Sequence, residues 1–172
     1  MAGLVKKVPD LLTASRAVIA VAIATLGFVG PRALEAVVLL IILGWTTDIL
    51  DGRLARRLKK DPTWIGEKEF AFDMVMVVGG LCYLVMAGFF PPVIAGIYVA
   101  VAALVIAFFR SKSVTMSFAF PLVALPLVVS WFNAPRAALW FTAWIAVAVV
   151  LDRKRFKGVV LEFISNYRAI RR

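Results

Sequence analysis

The 172-residue sequence contains no histidine. That excludes Ser-His and Cys-His nucleophilic pairs and imidazole metal ligands together. Its one cysteine, Cys82, has no intrachain partner and lies in an apolar run. The expected role there is a small packing residue rather than a reactive thiol. Acidic residues are scarce, with 10 Asp and Glu against 20 Lys and Arg, a formal net charge of +10. No internal repeat or low-complexity tract is evident. Apolar residues, in contrast, make up 63% of the chain and raise the mean hydropathy to +0.94. Such values lie far above those of a soluble domain and predict a multi-span membrane protein forming one helical unit, residues 1–172.

A membrane span needs about 20 mainly apolar residues. Six candidates occur, roughly 11–29, 33–50, 67–90, 93–109, 114–132 and 137–151. The first ends at Gly30-Pro31, and the second continues as a polar helix to about Lys60. Asp61-Pro62-Thr63, Pro91-Pro92 and Asn133-Ala134-Pro135 read as turns, and Pro121 and Pro126 predict a kink in the fifth span. Connections this short imply antiparallel neighbours. The expected fold is therefore all-α, an integral membrane bundle of six transmembrane helices. Lys6 and Lys7 precede an apolar run that Asp10 and Arg16 interrupt, which suits an uncleaved first span after a juxtamembrane segment, residues 1–10.

The basic residues alternate between the two ends of this bundle. The N-terminus, the stretch from Arg53 to Lys68, Arg110 with Lys112, and the tail from Arg153 are rich in Lys and Arg, whereas the opposite loops carry only Arg32 and Arg136. Positive-inside logic puts both termini at the cytoplasmic face of a cytoplasmic membrane. In the tail, Phe156, Val160, Phe163, Ile164, Tyr167 and Ile170 follow a helical period among basic residues. This predicts an amphipathic interfacial helix over residues 152–172, held by membrane lipids rather than by nucleic acid. Arg53, Arg57, Lys59 and Lys60 suit contacts with anionic headgroups. The tryptophans at 45, 64, 131, 140 and 144 suit membrane interfaces and bundle packing.

The scarce acids are concentrated in one stretch, Thr47 to Asp73, which leaves one apolar helix and enters the next. Carboxylates at the edge of a bilayer are costly and usually functional. At about 100° per residue, Asp48, Asp51, Gly52 and Ala55 share one helical stripe with Arg56 at its margin. The small residues let a bulky ligand approach the backbone. Glu69 and Asp73 are four apart and share a face of the next helix. Two such faces brought together form an all-oxygen pocket suited to Mg²⁺ or Mn²⁺, usually alongside substrate phosphates. Intramembrane acids also serve ion transport, but these cluster at one face rather than along a path.

The run Asp48-x-x-Asp51-Gly52-x-x-Ala55-Arg56 resembles the first half of the motif of the CDP-alcohol phosphatidyltransferases. The second half of that motif, Gly, Asp and Asp at four-residue spacing, falls on Ile65, Glu69 and Asp73 in the register that keeps two carboxylates at helical spacing. Two positions thus depart from the pattern: a glycine is missing, and a Glu replaces an Asp. The resemblance implies six spans, a homodimer, and phospholipid biosynthesis by metal-dependent transfer of a phosphatidyl group from CDP-diacylglycerol to an alcohol, with release of CMP. Asp48, Asp51, Glu69 and Asp73 would hold the metal, and Asp73 would also be the general base. Gly52 and Ala55 would leave room for the cytidine, and Arg56 would meet a phosphate. The altered motif keeps a second reading open, a catalytically degenerate member that binds lipid or a partner.

The opening Pro9-Asp10-Leu11-Leu12-Thr13-Ala14-Ser15-Arg16 is similar to that of the phosphatidylglycerophosphate and cardiolipin synthase branches. That similarity makes glycerol 3-phosphate the first expected acceptor, with inositol phosphate, serine or another alcohol left open, and gives Thr13 and Arg16 a place on the substrate approach. The alternative for these two is a helix cap and an arginine snorkelling to the interface. Arg110 and Lys112 either hold the phosphate of an incoming alcohol or simply enforce topology.

Overall fold

The computed structural model describes residues 8–57, 63–64, 68–153, 157–158 and 161. Among them six α-helices follow one another: α1 Val8–Thr25, α2 Leu34–Arg57, α3 Glu69–Met86, α4 Pro92–Phe109, α5 Lys112–Asn133 and α6 Pro135–Leu151. Two short 3-10 turns, Leu26–Phe28 and Pro31–Ala33, join α1 to α2, and no strand occurs among the described residues. The breaks fall where the backbone chemistry requires them. Gly30 and Gly88 adopt φ of 81° and 78°, a region that glycine enters without steric cost. Pro92 and Pro135 open α4 and α6, where a missing N–H leaves no helical bond unmade.

Five of these helices are long and apolar enough to cross a membrane, with spans Val8–Phe28, Pro31–Arg56, Glu69–Met86, Pro92–Phe109 and Lys112–Asn133. The sixth apolar helix, Pro135–Leu151, is shorter, at 17 residues. α5 runs helical through both Pro121 and Pro126. The amphipathic tail expected over 152–172 falls almost wholly outside the described residues, as do Lys59 to Pro62 and the motif position Ile65.

α1 is the central element and packs on both α2 and α3. Ile19, Ala20 and Ile23 of α1 meet Val37, Val38 and Ile41 of α2 and Met76, Tyr83 and Leu84 of α3 in one buried cluster. Helices that associate inside a membrane lack a hydrophobic driving force and depend on close packing, for which small residues make room. Gly79 of α3 does so here: a Cβ at this position would lie 2.7 Å from the carbonyl oxygen of Ala20. Gly44 of α2 likewise accommodates the Met76 side chain.

α6 docks on α2 through aromatic rings. Trp45 lies 5.5 Å from Phe141 and 5.7 Å from Trp144 between centroids, and the Trp144 indole donates to Thr46 Oγ1 at 3.0 Å. α4 is peripheral, with only Ala95 buried and Val93, Ile97, Leu104 and Phe108 facing outward. Cys82 also faces outward from α3, so it does not fill the core as its apolar run suggested.

Candidate metal and phosphate site

One end of the bundle gathers the first turns of α1 and α3 with the last turns of α2. Each helix presents polar residues there at helical spacing: Thr13 and Arg16 on α1, Asp48 and Asp51 on α2, Glu69 and Asp73 on α3. Oxygens of Asp48, Asp51 and Glu69, one from each, lie within 4.8 Å of one another. The Asp48–Asp51 stripe on α2 and the Glu69–Asp73 face on α3 are therefore brought together.

Arg16 stands among these acids. Its side chain is 0% exposed, and its fork spans three carboxylates. Nη2 donates to Asp51 Oδ2 at 2.7 Å, and Nη1 donates to Asp48 Oδ1 at 2.8 Å and to Asp73 Oδ1. The Thr13 hydroxyl is also buried and lies 2.8 Å from Asp51 Oδ2, within reach to donate. Arg16 thus does not reach the interface as a snorkelling arginine would, and Thr13 faces Asp51 rather than an open approach. Exposure is graded across the acids, with side-chain values of 4% for Asp51, 21% for Asp48 and 38% for Asp73. Asp51 is the inner wall and Asp73 the open lip.

The donor set fits a hard divalent cation. It offers only carboxylate oxygens, which Mg²⁺ and Mn²⁺ prefer. Asp51 Oδ1 is buried and has no hydrogen-bond partner. A buried acceptor left unmade costs about 1–3 kcal/mol, so this oxygen is a natural ligand position.

Around this centre, Gly52 and Ala55 continue the α2 stripe half-buried, and Arg56 is exposed. Arg53 of α2 donates to the Leu151 carbonyl at 3.1 Å and pairs with Asp152 at 3.6 Å, closing α2 onto the end of α6. Arg53, Arg56, Leu151 and Asp152 line a shallow groove there. Arg110 caps α4 at φ 45°, exposed at the same end of the bundle. Lys112 opens α5 with its ammonium 5.9 Å above the Phe70 ring, next in sequence to Glu69. Thr63 donates to Asp10 Oδ1 at 2.7 Å and ties the α2–α3 connection to the first turn of α1.

Sequence reasoning missed the direct pairing of Arg16 with both acidic faces. The available signal was a charge within an apolar span, which needs a partner wherever it is buried. The Arg53–Asp152 and Thr63–Asp10 contacts join residues far apart in sequence and left no local signature.

Residues 6–152 match the family described as CDP-alcohol phosphatidyltransferase. No curated protein and no solved structure matches the chain. The match covers most of the 172 residues, and the chain belongs to the CDP-alcohol phosphatidyltransferase family. Membership implies phosphatidyl transfer in phospholipid biosynthesis, from a CDP-linked substrate to an alcohol acceptor, in a family generally dependent on a divalent metal.

Proposed function

We propose that this family member transfers the phosphatidyl group of CDP-diacylglycerol to glycerol 3-phosphate and releases CMP. The observation that carries the reading is the meeting of three carboxylates from two helices within 4.8 Å, beside a buried and unpartnered oxygen of Asp51. Asp48, Asp51 and Glu69, joined by Asp73, would hold Mg²⁺ or Mn²⁺. Bound there, the cation would supply charge neutralisation for the pyrophosphate oxygens and the departing CMP. Glu69, one methylene longer than the family's Asp, reaches the cluster from its own backbone position.

The remaining roles follow from chemistry and position. Gly52 and Ala55 leave room for the cytidine, and Arg56 meets a phosphate as a planar donor. Asp73, the most open of the Arg16 partners at 38%, takes the proton from the acceptor hydroxyl. The hydroxyl oxygen then forms a bond to the phosphorus that carries the diacylglycerol, and the pyrophosphate P–O bond breaks with CMP as leaving group. A carboxylate is a weak base, so orientation of the hydroxyl for in-line attack must supply much of the rate. Arg110 and Lys112, at the same end of the bundle, are the residues we assign to the acceptor phosphate. The protein sits in the cytoplasmic membrane as a six-span homodimer, with the short α6 as its sixth span and the acidic end facing the cytoplasm.

The test is CMP release from CDP-diacylglycerol in detergent with Mn²⁺ or Mg²⁺, adding glycerol 3-phosphate, inositol phosphate or serine separately. Release with glycerol 3-phosphate alone, lost in Asp48→Ala, is the expected outcome. Release only with another alcohol reassigns the acceptor. No release from folded protein with any acceptor favours the degenerate reading, and restoring the family residues by Ile65→Gly with Glu69→Asp then asks whether those departures disabled the site.

A further inference from the structure

A fully buried guanidinium and buried carboxylates are each too costly to stand alone, and each becomes tolerable only with a partner. Arg16 meets this condition with unusual economy. Two of its nitrogens hold one oxygen each of Asp48, Asp51 and Asp73, on both neighbouring helices. The second oxygen of Asp51 remains buried and without a hydrogen-bond partner. The arginine therefore occupies one side of the acidic cluster and leaves the other side to an ion. Formally, Asp48, Asp51, Glu69 and Asp73 bring four negative charges, and Arg16 offsets one of them.

We propose that Arg16 is a positioning residue, an internal counter-cation that holds Asp48, Asp51 and Asp73 together across three helices so that the cation site stands before a divalent ion arrives. This assigns Arg16 to the site's architecture rather than to acceptor or lipid contact. It rests on the reading of the acidic cluster as a cation site. A planar fork with five N–H donors can bridge three carboxylates, whereas a lysine offers one point of charge. Bound Mn²⁺ and Arg16 supply charge to the same acids, so loss of one makes the fold lean on the other.

The experiment is thermal unfolding of the full chain in detergent, in EDTA and in Mn²⁺, for wild type, Arg16→Met and Arg16→Lys. Mn²⁺ affinity is followed in parallel by loss of the free-Mn²⁺ paramagnetic resonance signal. Wild type should unfold cooperatively in EDTA and gain modestly on adding Mn²⁺. Arg16→Met should lose about 10 °C in EDTA, the scale expected for removing one partner of a buried ion pair, and recover more than half of that loss in Mn²⁺. Arg16→Lys should fall between the two in EDTA. Equal losses in EDTA and in Mn²⁺ would make Arg16 a packing residue and overturn the proposal. A wild type indifferent to Mn²⁺ in both melting and resonance would instead sink the cation-site reading itself. If Arg16→Met does not fold in EDTA, Arg16→Lys decides: a Mn²⁺ gain larger than that of wild type supports the proposal, and an equal gain overturns it.

Discussion

The crossing of α1 and α3 gives the sharpest structural prediction, because adjacent glycines on α3 are expected to behave oppositely. A methyl group added at Gly79 would lie 2.7 Å from the Ala20 carbonyl oxygen and 3.2 Å from its Cα. These are backbone atoms, so no side chain can swing away. Moving that contact from 2.7 Å to an ordinary 3.4 Å requires the helices to part by about 0.7 Å. Overpacking of this kind costs about 1–3 kcal/mol, and the better helix propensity of alanine offsets about 1 kcal/mol of it. A net loss of up to about 2 kcal/mol lowers Tm by up to about 8 °C for a chain of this size. The effect reaches the site. Ala20 lies one turn below Arg16 and Gly79 under two turns below Asp73, so parting the helices strains the Arg16–Asp73 pair. Since a misplacement of about 1 Å can cost about 10²-fold in rate, CMP release should fall by about tenfold in Gly79→Ala. At Gly80 the nearest atom to an added Cβ is Pro126 Cγ at 4.0 Å, so Gly80→Ala should melt at or above the wild-type temperature and keep its activity. Melting curves in detergent with the CMP assay compare the two directly. A Gly79→Ala protein as stable and active as Gly80→Ala would refute the tight crossing.

Three further outcomes follow from the same geometry. Asp73→Asn should lower kcat by about 10²–10⁴-fold, the usual range for a general base, while Mn²⁺ still raises Tm through Asp48, Asp51 and Glu69; loss of that Tm gain would recast Asp73 chiefly as a ligand. Glu69→Gln should raise the Mn²⁺ concentration for half-maximal CMP release by about tenfold or more, because ligand charge sets affinity at oxygen sites, and an unchanged Mn²⁺ titration would remove Glu69 from the site. Trp144→Phe, which deletes the donor to Thr46, should cost about 1 kcal/mol and leave the Mn²⁺ titration unmoved; a change in that titration would show that α6 docking reaches the acidic end.

Much of the helical layout was legible in the sequence because apolar runs and their Pro and Gly punctuation are local. The break at Gly30-Pro31 and the Pro91-Pro92 turn sit where the chain order suggests, with Pro92 as the first residue of α4. The stripe that carries Asp48 and Asp51 was likewise readable, since periodicity fixes which residues share a face of one helix. What periodicity does not fix is which helix that face meets. Arg16 is 35 residues from Asp51 and 57 from Asp73, and nothing local distinguishes a buried bridge from an arginine reaching for the interface. Cys82 shows the same limit: an apolar run does not say which of its residues look outward. The length of α6, 17 residues, was set by where Pro135 opens it and where Asp152 ends it, and hydropathy alone could not rank it against the five longer helices.

The central claim is that the acids of α2 and α3 form a divalent-cation site at which a CDP-linked lipid is cleaved. The most direct measurement is CMP release from CDP-diacylglycerol with glycerol 3-phosphate, in EDTA and in Mn²⁺, for wild type and Asp51→Asn. Release is expected only in wild type and only with Mn²⁺, with Asp51→Asn folded and silent. Undiminished release by Asp51→Asn in Mn²⁺, or by wild type in EDTA, would contradict it.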